Sequence, residues 1–291
     1  MSCQILAKVL RRSVGHPDAP PITSFQLRYP LQIHAELMTH RVFSRNARSS
    51  RAVPTARMLE EVRTAPFIPR YWGRNQKGMQ AGEEHNALLE GSGNEPDVTR
   101  DEAWLEARDD AVRHAERYMR AGYHKQICNR LLAPFLHIDV VLTTTNLSNW
   151  DALRDDPAAE PHIRDLAVAM KEALIEPTQL ERGEWHLPYI SDDERGPDPS
   201  GFDWAVLRAC SVTRCAQVSY VPFHEARLTI AEEVARHDAL IAARPMHASP
   251  CEHQATPDTK LPDGSWAHPE LAGNLGPGWI QYRKTLPGER A

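Results

Sequence analysis

The chain has 291 residues, of which 41% are hydrophobic and 25% charged, the balance of a protein that buries a core in water. Its net charge of −5 excludes a general binder of nucleic acid or of anionic membrane, so any anion site must be local. No apolar run approaches the ~20 residues of a membrane span, and in "MSCQILAKVLRRS" the basic residues follow the apolar run, the wrong order for a signal peptide.

In chain order, "QILAKVL" and "ITSFQLRYP" predict two strands joined through the Pro-rich turn "GHPDAPP". Over 31–43, Leu31, His34, Leu37, Met38 and Val42 recur with a helical period, so the arginines that follow are expected on the last turn of a helix and the loop beyond it. Residues 101–122 give the clearest helix: Trp104, Leu105, Ala111, Val112, Ala115, Tyr118 and Met119 form its stripe, Asp101 can cap it and Gly122 can stop it. "IDVVLTTTN" reads as a strand, "IRDLAVAMKEALIEP" as a helix closed by Pro177, "SDDERGPDPSG" as a surface loop, and "EARLTIAEEVARHDALIAARP" as a further amphipathic helix. The Pro- and Gly-rich tail, 254–291, is expected to wrap the surface, with "WIQYRK" as a candidate strand. No internal repeat is visible, and the pattern predicts one α+β domain over 1–291, a mainly antiparallel sheet flanked by helices.

The five cysteines, Cys3, Cys128, Cys210, Cys215 and Cys251, are scattered and form no CxxC, which reads as reduced thiols in a cytoplasmic compartment. There is no GxGxxG opening a βαβ unit, no Gly-rich phosphate loop and no GxSxG elbow. His247, Cys251 and His253 fit no common zinc spacing, so no metal is expected. The strongest feature is "MTHRVFSRNARSSRAVP", residues 38–54. Arg41, Arg45, Arg48 and Arg51 stand there without an interleaved acid and would repel one another unless an anion sits among them. A solvated basic face, a nucleic-acid patch and a pocket for a small phosphorylated ligand are the readings open on composition; guanidinium forks and serine hydroxyls suit phosphate.

"THRVFSRNARSSR" resembles the signature of the flavin-dependent thymidylate synthases, Arg-His-Arg followed at a fixed distance by Ser. His40, Arg41, Asn46, Ser49 and Arg51 match it, with Thr39 in place of the first Arg and Ala47 in place of a common Glu. Four further segments resemble the same family: "HKQICNRLLAP" with Arg130, "NWDALRDDPAAEPHI" with Asn149 and Arg154, "TRCAQVSY" with Arg214 and Ser219, and "HASPCEH" with His247, Ser249, Glu252 and His253. In most of the family the last segment precedes the arginine signature; here it follows, so the chain resembles a circularly permuted branch found largely in phages.

The resemblance implies transfer of a one-carbon unit from methylenetetrahydrofolate to C5 of a pyrimidine deoxynucleotide, dUMP to dTMP in the family. FAD would be the cofactor and NADPH the reductant, in a cytoplasmic homotetramer (host cytoplasm if phage-encoded) with no nucleic-acid or membrane partner. Ser49, Ser50, Arg51 and Arg130 would bind the substrate phosphate. Arg154 would lie on the pyrimidine and stabilise developing charge, with Ser49 positioning the base. His40, Arg41, Asn46, Asn149, Ser219, Ser249 and Glu252 would hold FAD. The alternatives are C5 hydroxymethylation of dCMP or dUMP, and a non-catalytic nucleotide- or RNA-binding protein. Glu160 and His162 replace the family's usual Gln and Glu, and a Glu160 reaching the base would favour the cytosine amino group.

Overall fold

Two nine-residue strands start the fold: β1 (Leu6–Val14) and β2 (Ile22–Pro30) pair antiparallel across the predicted turn. The computed structural model describes residues 5–80, 82–91, 93, 96–195, 203–220 and 228–289. The remaining strands are β3 (Ser44–Ala47), β4 (His137–Thr144), β5 (Thr178–Gln179), β6 (Ala255–Pro257) and β7 (Trp279–Gln281). The helices are α1 (His34–Leu37), α2 (Thr55–Thr64), α3 (Arg100–Arg120), α4 (Lys125–Cys128), α5 (Ser148–Arg154), α6 (Pro161–Glu172), α7 (Asp192–Arg195), α8 (Trp204–Gln217) and α9 (Ile230–Ala242).

Among the described residues the main sheet runs β3-β4-β2-β1-β5, and β6 pairs with β7 in a second, two-stranded sheet. The fold is a single α+β domain. Its main sheet is mixed rather than wholly antiparallel, because the short β5 joins β1 in parallel. β4 is buried along its whole length because both faces of the sheet are covered. On one face Ile138, Val140 and Leu142 join Phe25, Leu27 and Tyr29 under Trp150 of α5 and Ile163, Leu166 and Met170 of α6. On the other, Val141 packs on Cys215 and Val218 at the end of α8. Alternation of side chains along the strand separates the two sets.

The helix expected over 31–43 is a correction. A 3-10 turn (Leu31–Ile33) and the single turn of α1 take its place, and the chain then turns into edge strand β3. Thr39 and His40 donate their amides back to Glu36 and Leu37, closing the turn. Four residues of β3 gain a ladder with β4 that a longer helix would forgo. Ile33, Leu37 and Phe43 still reach the core, from separate elements.

Other boundaries also move. Thr99, not Asp101, caps α3, through a capping box with Glu102, while Gly122 adopts the positive φ of a helix stop. α6 starts at Pro161 and ends at Glu172, short of Pro177. α9 starts behind the Thr229 capping box; residues 225–227 of its predicted span lie outside the described residues. In the predicted loop 191–201, Asp192–Arg195 form a helical turn, and 196–201 lie outside the described residues. "WIQYRK" contributes only Trp279–Gln281 as strand, followed by a 3-10 turn over Tyr282–Thr285. The tail reaches inward as well: Trp279 is fully buried with Ile22, Leu180, Ala255 and Leu275, and its Nε1 donates to the Pro20 carbonyl at 2.9 Å.

Candidate functional site

The loop after β3 folds back on itself. The Ser49 carbonyl accepts the amides of Ala52 and Val53, and Ser49 Oγ accepts the Arg51 amide at 3.2 Å. The Ser49 amide donates to the Ser219 carbonyl at the end of α8, Lys125 Nζ donates to the Ala52 carbonyl, and Asn129 Nδ2 donates to the carbonyls of Ser50 and Val53. Pinned in this way, the loop faces the 3-10 turn Asn129–Phe135 across a cavity of about 440 Å³. Ser49, Ser50, Arg51, Asn129, Arg130, His34 and His137 are among its lining residues. Arg51 and Arg130 are exposed, and no described carboxylate pairs with either.

Arg48, in the same cluster, has partners that are remote in sequence. Arg48 lies 2.6 Å from Glu61 on α2 and 3.9 Å from Asp139 on β4, and Arg28 bridges the same two acids at 2.9 and 2.8 Å. Burial opposes the Arg28 charge, but Asp139 and Glu61 outweigh it and hold its pKa above the usual value. Arg45 donates to the His40 carbonyl at 2.8 Å; burial lowers its pKa while the field of Glu252 opposes that shift. The expectation that four unpaired arginines need an anion among them is therefore corrected. Tertiary acids serve Arg48 and a backbone carbonyl serves Arg45, while Arg41 and Arg51 remain exposed.

Arg154 sits apart from the lining of this cavity. Its Nη1 donates to Glu36 Oε2 at 2.9 Å and its Nε to His40 Nε2 at 3.2 Å. His40 must accept there, so it is neutral; burial, then Arg154 and Arg45, lower its pKa. The ring packs on Trp150 at 4.9 Å and Phe43 at 5.5 Å. The single turn of α1 connects the two places, because His34 lines the cavity and Glu36 holds Arg154.

Of the residues expected to hold a cofactor, none lines the cavity. Asn46 is buried on β3 and its Oδ1 has no partner among the described residues. Ser249 and Glu252 lie in a 3-10 turn packed against β3; Ser249 is exposed and Glu252 pairs with Arg283. Arg41 and Asn149 are exposed, and Ser219 lends its carbonyl to Ser49. Arg214 is structural: it grips Glu233, which is fully buried, and Glu194, and donates to the Tyr189 carbonyl.

Glu160 does not reach either place. As the N-cap of α6 its Oε2 accepts the Ile163 amide at 2.8 Å, and its Oε1 lies 2.6 Å from His162 Nδ1. The expectation that it could read a base is overturned by this capping geometry. Sequence reasoning missed His34, Asn129 and His137 in the cavity. The available signal was a histidine heading a strand rich in Ile and Val, "HIDVV", and an asparagine beside Arg130.

No protein-family model matches the chain, and no curated protein matches it. Among solved structures, the UMP/dUMP methylase PolB from Streptomyces cacaoi bound with 5-Br UMP has a TM-score of 0.44 and 17% identity, covering 59% of this chain and 89% of that one. The same methylase bound with 5-Br dUMP has a TM-score of 0.44 and 16% identity, covering 59% and 90%. Among the described residues, no helix is long and apolar enough to cross a membrane.

Proposed function

We propose that the chain is an enzyme that transfers a one-carbon unit from methylenetetrahydrofolate to C5 of a pyrimidine deoxynucleoside 5′-monophosphate, converting dUMP to dTMP. One observation carries this reading. Ser49, Ser50, Arg51 and Arg130, which the motif resemblance assigns to a phosphate, come from two distant segments and open on one cavity. Its volume of about 440 Å³ suits a small ligand.

The chain's own groups divide the work. Arg51 and Arg130, which pair with no acid among the described residues, would grip the phosphate through charge-assisted hydrogen bonds, with the Ser49 and Ser50 hydroxyls completing the donors. The nucleotide would extend along α1 toward Arg154. Held by Glu36 and by neutral His40, Arg154 would stabilise negative charge as C5 becomes nucleophilic, an electrostatic role needing little reorganisation. Attack on C6 by Cys210, Cys215 or Cys251 is disfavoured, because burial pushes the Cys210 and Cys251 thiols up to about 12 and raises Cys215 as well.

For FAD, the polar groups near β3 fit in part: Asn46 Oδ1, which has no partner among the described residues, the exposed Ser249 hydroxyl and the exposed Arg41 guanidinium would hold it, and the motif resemblance adds His40, Asn149, Ser219 and Glu252. Reduced flavin, when bound, supplies hydride to the transferred carbon. NADPH as reductant, a homotetramer and the permuted motif order belong to the same proposal. The test is product mass from reactions with methylenetetrahydrofolate, FAD, NADPH and either dUMP or dCMP. Methylated dUMP is expected; no product from either nucleotide, together with no flavin binding, overturns the reading.

A further inference from the structure

Within that nucleotide reading, the floor of the cavity holds polar groups that the motif resemblance does not use. His137, at the head of β4, is 7% exposed and lines the cavity. Its ring meets Phe67 edge-on at 5.8 Å, and neither ring nitrogen has a hydrogen-bond partner among the described residues. Burial, then Arg28, lowers its pKa to about 4, so at neutral pH it offers one donor and one acceptor. Asn129 is fully buried. Its Nδ2 is committed to the carbonyls of Ser50 and Val53, which fixes the amide and leaves Oδ1 as an acceptor without a donor. A buried polar group without a partner is costly, and two beside one cavity point to a ligand group that completes them.

We propose that His137 and Asn129 read the deoxyribose hydroxyl of the bound nucleotide. Asn129 adjoins Arg130 in sequence and bonds to Ser50 in the loop that would grip the phosphate, so its acceptor belongs next to the phosphate subsite. In a nucleoside 5′-monophosphate the sugar, not the base, adjoins the phosphate. A hydroxyl both donates and accepts, which matches an Asn acceptor and a His N–H together. Without the hydroxyl these buried groups stay unpaired, and a site built around such a hydrogen bond rejects the analogue that lacks it.

The test is calorimetric titration of the full-length protein with dUMP and with 2′,3′-dideoxyuridine 5′-monophosphate, which lacks the hydroxyl. Wild type is expected to prefer dUMP by roughly tenfold, the scale of one hydrogen bond to a buried group. His137→Phe should bring the two affinities together, His137→Gln should keep much of the preference, and Arg51→Ala should weaken both ligands equally. Equal affinities in wild type, or an unchanged preference in a folded His137→Phe, would overturn the assignment. Binding of neither nucleotide by wild type would sink the nucleotide reading itself, and this inference with it.

Discussion

At the scale of single residues, four arginines that look alike in sequence do different things. Both Arg48 and Arg51 line the cavity, but Arg48 is locked between Glu61 and Asp139, whereas Arg51 has no carboxylate partner among the described residues. Arg51→Ala should therefore weaken nucleotide binding about ten- to a hundredfold with little change in melting temperature, since a charge-assisted phosphate contact is lost. Arg48→Ala should do the reverse. It leaves Glu61 and Asp139 sharing Arg28 alone and should cost roughly 1–3 kcal/mol in urea unfolding, with ligand affinity largely kept. Paired titration and unfolding of the two variants checks both. The distinction was only half legible in the sequence. A motif reports which residue type a phosphate needs, but Arg48's partners lie on α2 and β4, and nothing local announces that the chain will bring them together. Glu160 teaches the same lesson from the other side. A substituted motif residue suggested a change of base preference, and it proves to be a helix cap. Glu160→Ala should cost about 1 kcal/mol of stability, read by thermal unfolding, and leave the ratio of dUMP to dCMP turnover unaltered.

At the scale of elements, legibility followed how much each segment decides for itself. α3 and α9 carry their own capping boxes, Thr99 with Glu102 and Thr229 with Glu232, so their existence was readable and only their bounds shifted, by a few residues. The segment 31–43 has an equally apolar period but no such terminus, and pairing with β4 decided its shape instead. α8 and α9 are joined by a contact that sequence pattern cannot show. Arg214 donates through Nε and Nη2 to both carboxylate oxygens of Glu233, which has no solvent exposure. Burial opposes the Arg214 charge, but Glu233 and Glu194 hold its pKa above the usual value. Arg214→Met would leave a buried carboxylate without its cation, at a cost of roughly 3–5 kcal/mol. Replacing both partners, Arg214→Met with Glu233→Leu, should recover much of that loss. Urea unfolding of the single and double variants separates the two outcomes; equal losses in both would mean that the helices meet independently of this pair.

Across the whole molecule, one buried polar chain ties distant segments together. Ser13 of β1 lies 3.0 Å from His186 Nδ1, whose Nε2 is 2.9 Å from Ser24 of β2; Ser24 is 2.5 Å from Thr143 of β4, and Thr143 is 2.8 Å from His253 Nδ1. All five residues have no solvent exposure. Three hydroxyls and two neutral imidazoles can satisfy these contacts in either direction, but a protonated histidine would place a charge in a fully buried site where, among the described residues, its hydrogen-bond partners are hydroxyls and not carboxylates. Burial accordingly pushes His253 down to about 3 and His186 well below its usual value, and His137 elsewhere in the core falls to about 4. In the unfolded chain each histidine takes its proton near pH 6.5. Below that pH the unfolded state therefore binds more protons than the folded one, and stability falls as pH falls until the folded pKa is reached. The loss should begin near pH 6.5 and deepen toward pH 4, at about 1.4 kcal/mol per pH unit for each such histidine. The upper part of this window lies above the range in which most carboxylates protonate, so urea midpoints measured from pH 7 to pH 5 report chiefly on the histidines. His253→Gln, which can still bond to Thr143 but cannot titrate, should make that slope shallower. A midpoint unchanged between pH 7 and pH 5 would mean that the folded protein already holds these protons, and that the chain linking β1, β2 and β4 is not the neutral one described.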